Sequence, residues 1–169
     1  MSSSKNGKAH LVLLSPKTHM KQRLDILRKM EKGRNIIYVT ITNSCDKLTA
    51  LITEQGIMQG HLFFVGCGKP HSDDLHLNCI HCPSPNALLS LSILIIETVK
   101  RIPGRKLLVF DSISNLFAYH DPNTVMKFIS FIIKQLHEMK VGSLFFMLES
   151  DMKTSENKRI MLLADDVKE

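Results

Sequence analysis

Short, uninterrupted apolar runs alternate along this chain with longer segments whose apolar residues recur every three or four positions. Runs of the first kind predict strands buried on both faces, and the second kind predicts amphipathic helices packed against them. Ala9 to Leu14 is the first run, followed by Ser15 as a cap and Pro16 at the first helical position. Met20, Leu24, Leu27 and Met30 then fall at helical spacing, with Lys21, Arg28, Lys29 and Lys32 between them, until Gly33 stops the helix. Asn35 to Thr42, rich in β-branched residues, predicts the second strand. A helix is expected over Asp46 to Gln55, closed by Gly56, and a third strand over Leu62 to Val65.

Gly66 to Asp74 reads as a loop and Leu77 to Cys82 as another short strand. Pro83 to Asn86 form a turn that caps a helix from Ala87 to Arg101, ended by Pro103 and Gly104. The strand Lys106 to Asp111 has no period-two alternation across Leu107, Leu108, Val109 and Phe110, so both its faces should be buried. It opens through a loop into an amphipathic helix, Asn123 to Lys140, with Val125, Phe128, Ile129, Ile132 and Leu136 inward and Gly142 at its end. Ser143 to Glu149 predicts a strand and Ser155 to Ala164 a last helix. Strands alternating with helices throughout predict an α/β fold: a mostly parallel sheet covered on both faces. Residues 1–8 are expected to be a flexible leader and 9–169 a single domain.

A length of 169 residues with 44% hydrophobic and 22% charged residues suits one ordinary core and excludes a disordered chain. The longest apolar stretch, Leu88 to Val99, is broken by Ser90, Ser92 and Glu97, too polar for a bilayer. The chain is therefore expected to be cytoplasmic, without a membrane partner. The net charge of +6 raises nucleic acid as a partner, through Lys21, Arg28, Lys29 and Lys32. With no aromatic residues interleaved, a solvated helix face is the expected role of those four.

Candidate chemistry centres on Asp111 and Ser112. A carboxylate at the end of a central parallel strand stands where ligands of open α/β sheets bind, and there it can hold magnesium beside a phosphate. The same aspartate can instead cap its own turn. Phosphate binding after the first strand would need glycines and a lysine, yet no glycine lies between Ala9 and Leu27. Lys17 and Thr18 follow the strand too closely for a loop to encircle phosphates, and Pro16 removes a donor. Glu149 should share the same sheet edge. Cys45, Cys67, Cys79 and Cys82 lie near His71, His76 and His81, but Cys79 and Cys82 on one strand would point to opposite faces. Buried free thiols are expected, and no metal.

The pieces CPSPNALLSLSILI, PGRKLLVFDSISNLFAYHDPNTVMKFISFIIKQL and GSLFFMLE, with IIYVTITNS before them and LADDVKE after, carry a likeness. Together they resemble the RecA/KaiC-like branch of the P-loop ATPases, in particular small archaeal KaiC-like, recombinase-like proteins. The resemblance implies a three-layer α/β sandwich and places the family's magnesium-binding strand end on Asp111 and Ser112. It also implies a degenerate member. The glycine-rich Walker A loop is missing, and Thr42 and Asn43 stand where active relatives carry paired catalytic glutamates. A pseudo-ATPase without cofactor follows, acting as an interaction or signalling module with a protein partner or as a homo-oligomer. A vestigial nucleotide site would comprise Ser15, Lys17, Thr18, Thr42, Asn43, Asp111, Ser112 and Glu149. The alternatives are a nucleotide-binding ATPase that uses ATP and magnesium at an unorthodox site of Lys17, Thr18 and Asp111, and a basic nucleic-acid accessory protein.

Overall fold

The computed structural model describes residues 7–67 and 78–169. Seven strands form one sheet in the order β4-β3-β2-β5-β6-β1-β7, and every neighbouring pair is parallel. They are β1 (Ala9–Leu14), β2 (Asn35–Thr40), β3 (Leu62–Gly66), β4 (Cys79–His81), β5 (Lys106–Asp111), β6 (Gly142–Leu148) and β7 (Asp166–Lys168). The main helices are α1 (His19–Glu31), α2 (Cys45–Thr53), α3 (Leu88–Arg101), α4 (Ile113–Leu116), α5 (Pro122–Glu138) and α6 (Ser155–Lys158).

The apolar runs become central strands because each face of the sheet has its own core. On β5, Leu108 and Phe110 join the core beneath α3 and α5, while Leu107 and Val109 join the core beneath α1 and α2. With both parities buried, alternation has nothing to mark. Helix α5 contributes Val125, Phe128, Ile129, Ile132 and Leu136 to the first core; Leu27 of α1 with Leu48 and Ile52 of α2 contributes to the second. This is a three-layer α/β sandwich.

Several boundaries depart from expectation for local reasons. Strand β2 ends at Thr40, where the Thr40 hydroxyl accepts from Asn43 N–H at 3.1 Å and draws the chain into a bend. Helix α5 begins at Pro122, with the Asp121 carboxylate accepting from the N–H groups of Asn123 and Thr124. It is turned off by Lys140 in the left-handed region (φ 56°), and Gly142 already belongs to β6. Lys32, after α1, is also left-handed (φ 38°). The expected last helix, Ser155 to Ala164, is instead one turn, α6, followed by a 3-10 segment, Arg159–Leu163. There the Asn157 side chain is drawn back to the Asp151 carbonyl and only Ile160 is fully buried apolar surface.

Strand β4 is shorter than expected, and Leu77 and residues 68–74 of the expected loop lie outside the described residues. Gly7 and Lys8 do not behave as a leader. The Lys8 carbonyl accepts from Ser143 N–H at 2.9 Å, and a Cβ on Gly7 would stand 3.3 Å from Lys140 Cα. No helix among the described residues is long and apolar enough to cross a membrane.

Candidate functional site

Because all strands run one way, the ends of β2, β5, β6 and β1 fall side by side on one edge. Thr42 and Asn43, Asp111 and Ser112, Glu149, and Ser15 with Lys17 and Thr18 all follow those ends. Helix α1 starts on the same edge, at His19. The edge is where ligands of such sheets bind, but its central carboxylate, Asp111, does not face open space.

Asp111 is fully buried, contrary to the expectation of a carboxylate presented at the edge. Arg23 of α1 donates from Nη1 to Asp111 Oδ2 at 3.0 Å, and the same nitrogen lies 2.9 Å from Oδ1. The Tyr38 hydroxyl donates to Oδ2 at 2.6 Å, reaching from β2, where Tyr38 pairs with Val109. The guanidinium carbon sits 5.9 Å from the centroid of the Phe146 ring, within cation–π range. Burial pushes the Asp111 carboxyl upward, against the pull of Arg23, the Tyr38 hydrogen bond and His19. Burial and then the Asp111 charge hold the Tyr38 phenol well above its ordinary range, so it stays a donor. Arg23 Nε has no hydrogen-bond acceptor.

The other candidate residues lie apart from this cluster. Ser112 is buried, joined to Asp111 by a cis peptide bond. Lys17, Thr18 and Glu149 are exposed. The N–H of Ser15 donates to Gln22 Oε1 at 3.1 Å, which uses a donor that a phosphate cradle would need. Thr42 is exposed and accepts from Asn115 Nδ2 at 3.3 Å. Arg23, Tyr38 and Asn115 are the participants the sequence reading missed. Arg23 did leave a signal: it stands three residues after Met20 and four before Leu27, a charge on the apolar stripe of α1.

The four cysteines gather at the β3–β4 edge, but only two of them as the expected free thiols. Cys45, the first residue of α2, and Cys79 of β4 form a disulfide with a Cα–Cα distance of 6.5 Å. Gly66 packs against it: a Cβ there would stand 3.4 Å from Cys45 Sγ and 3.9 Å from Cys79 Sγ, in ordinary van der Waals contact. The expectation of free thiols rested on a reducing compartment, and strand spacing alone could not foresee a partner 34 residues away. Cys67 and Cys82 are free and buried. They belong to the core on the α3 and α5 face, whereas Cys79 packs on the opposite one, as the parity of the strand requires. Burial, then the proximity and hydrogen bond of Cys82, pushes the Cys67 thiol up to about 12. Among the described residues no group of three or more His, Cys, Asp or Glu side chains is arranged to hold a metal ion; His71 and His76 lie outside them.

No protein-family model matches the chain, and no curated protein matches it. Among solved structures it is similar to a KaiC-like protein from the hyperthermophilic archaeon Pyrococcus horikoshii, with a TM-score of 0.65 and 17% sequence identity. The superposition covers 96% of this chain and 71% of that one. At this identity the likeness establishes a KaiC-like, RecA-like fold and nothing finer.

Proposed function

We propose that this RecA-like domain does not turn over ATP and acts as an interaction or signalling module. The enclosure of Asp111 carries the reading. A magnesium ion beside a phosphate needs a carboxylate oxygen facing an open site where the ion can keep several of its waters. Asp111 has no exposed surface: Oδ2 accepts from Arg23 and Tyr38, and Oδ1, without a hydrogen-bond donor, lies 2.9 Å from the same Arg23 nitrogen. Freeing it would strand a guanidinium that is itself buried. The segment after β1 has no glycine, and one of its N–H groups is already bonded to Gln22. Thr42 and Asn43 carry no group that can take a proton from water near neutral pH. These residues do not fit Mg-ATP.

An interaction role draws support from exposed apolar side chains on the α3 and α5 side. Leu89 and Ile93, 75% and 54% exposed, are one helical turn apart on α3. Phe131 of α5 and Leu162 line a shallow cavity of about 510 Å³ with Met126 and Leu163. Such a surface suits a protein partner, in the first instance a second copy of the chain.

The test is a thermal-shift titration with Mg-ATP together with a phosphate-release assay. A ligand at about 100 times its dissociation constant stabilises a protein by about 2.7 kcal/mol, so binding cannot hide. No saturable shift and no turnover above background is the expected result. A saturable shift that disappears in Asp111→Asn would overturn the proposal.

A further inference from the structure

The opposite edge of the sheet, where the strands begin, is lined with cations. In space β2, β5, β6 and β1 are consecutive, and the chain runs into them through Arg34, Arg105, Lys140 and Lys8. Neighbouring strands lie ~4.8 Å apart, so these four residues are spread over about 15 Å. Arg34 reaches across β5: its Nη1 lies 4.0 Å from where a Cβ on Gly142 would stand. A cavity of about 360 Å³ is lined here by Arg34, Arg105, Lys106 and Lys140. A second, of about 410 Å³, is lined by Lys8, Lys29, Lys32, Lys168 and again Arg34, with His10 and Asp166. Arg34 belongs to both, so the two form one continuous basic track.

Most of this charge is uncompensated. Lys106, Lys168 and Lys8 are exceptions: the Lys106 Nζ donates to the carbonyls of Val99 and Ile102. Asp166 is taken up by His10 and Lys168, and Lys8 lies in the field of Asp165. Arg34, Arg105, Lys140, Lys29 and Lys32 make no ion pair among the described residues. Partial burial, and then the like charge of Arg105, lowers the pKa of Arg34. Cations near the ends of α1 and α5 could be read as answering the helix dipoles. That reading does not account for Arg34 and Arg105, which lead into strands and converge on the same cavity.

We propose that this rim binds the phosphate backbone of a nucleic-acid duplex without reading its sequence. Backbone recognition needs a track of unpaired Lys and Arg, and this track supplies one. Single-strand recognition would add aromatic platforms, and no Phe or Tyr lines either cavity. An anionic membrane would call for exposed apolar anchors beside the charges. None of the exposed large hydrophobics among the described residues (Met58, Leu89, Ile93, Tyr119, Phe131 and Leu162) lines either cavity. Of the basic residues singled out on α1, Lys29 and Lys32 belong to the rim, whereas Lys21 and Arg28 line neither cavity. The site is independent of the Asp111 edge and of whether any nucleotide binds there.

Fluorescence anisotropy of the full chain with a labelled random-sequence duplex of about 20 base pairs tests the proposal, with a single strand of equal length and phosphatidylserine vesicles as competitors. With four phosphate contacts, log Kd should vary with log salt with a slope of magnitude about 3 to 4, so affinity falls about 100-fold between 50 and 200 mM salt. Neutralising Arg34, Arg105 and Lys140 to Gln should weaken binding at least tenfold and reduce that slope by about 2 to 3. Lys21, Lys47 and Lys127 to Gln makes the same change in net charge and should do far less. The charge-keeping variant R34K/R105K/K140R should bind nearly as the native chain does. If the triple Gln variant fails to fold, R105Q and K140Q singly, both at exposed positions, carry the same comparison. Equal losses in rim and control variants would overturn the proposal, as would a salt slope that the rim variant does not change. So would preferential competition by the vesicles or the single strand, or the absence of duplex binding at the lower salt.

Discussion

Replacing Arg23 by Met removes the counter-ion of a carboxylate that has no exposed surface and leaves it one hydrogen bond, from Tyr38. Breaking a buried ion pair from one side costs about 3–5 kcal/mol, because the remaining charge is neither solvated nor neutralised. Against a total stability of about 5–15 kcal/mol this is a large share. For a domain of this size it corresponds to a fall in Tm of about 6–20 °C. Asp111→Asn strands the guanidinium and should cost a comparable amount. Together the two changes should cost at least ~2 kcal/mol less than their sum, since each removes the reason for the other's penalty. A pH signature follows. Burial already raises Asp111, and Arg23 is the strongest opposing influence, so its removal raises the carboxyl further. A group with a raised folded pKa contributes stability that is present below its unfolded pKa and lost as pH rises through the folded one. The Arg23→Met deficit should therefore be larger at pH 8 than at pH 5. Urea unfolding followed by far-UV circular dichroism is the assay, as the chain has no tryptophan. A deficit below ~1 kcal/mol, strict additivity in the double variant, or no difference between the two pH values would refute the reasoning.

Cys45 and Cys79 are 34 residues apart, a closure worth about 4 kcal/mol by chain entropy, so Cys79→Ser should lower stability by up to that amount. Denatured, unreduced protein should show two reactive thiols and reduced protein four; four in both would remove the bridge, and in the native fold the raised Cys67 thiol should label slowly at pH 8. Asp165 is held below the ordinary carboxyl value of 3.8 by the Ala9 N–H and His137, and Asp121 by Thr124 and Asn123. Their stabilising effect is present above the unfolded value and lost as pH falls through the lowered folded one, so Asp165→Asn should flatten the acid limb of a stability–pH curve below about pH 4. An unchanged acid limb would count against that assignment.

The fold was legible where local pattern and burial agree. The runs at β1, β2 and β5 lack alternation because each face has its own core, and the stripe of α5 points where its spacing says. Elements misjudged were those settled by one side chain: the Thr40 hydroxyl ending β2, Asn157 folding back over α6, and Lys140 making a turn ascribed to Gly142. The candidate edge was legible in location, because parallel strands must end together. Its chemistry was not, since Asp111 is set by Arg23 and Tyr38, 88 and 73 residues away. A terminal strand aspartate looks the same in sequence whether it faces solvent or a guanidinium. The disulfide was hidden for the same reason.

Lys32 and Lys140 occupy backbone conformations that cost a side-chain-bearing residue about 1–2 kcal/mol and glycine almost nothing. Each turns the chain out of a helix, and each sends an ammonium to the rim where strands begin. Glycine at either place would relax the turn and thin the positive field. At these two corners the easiest way to strengthen the fold and the way to preserve its charge are opposed, so a stabilising campaign guided by backbone geometry alone would begin by discharging the rim.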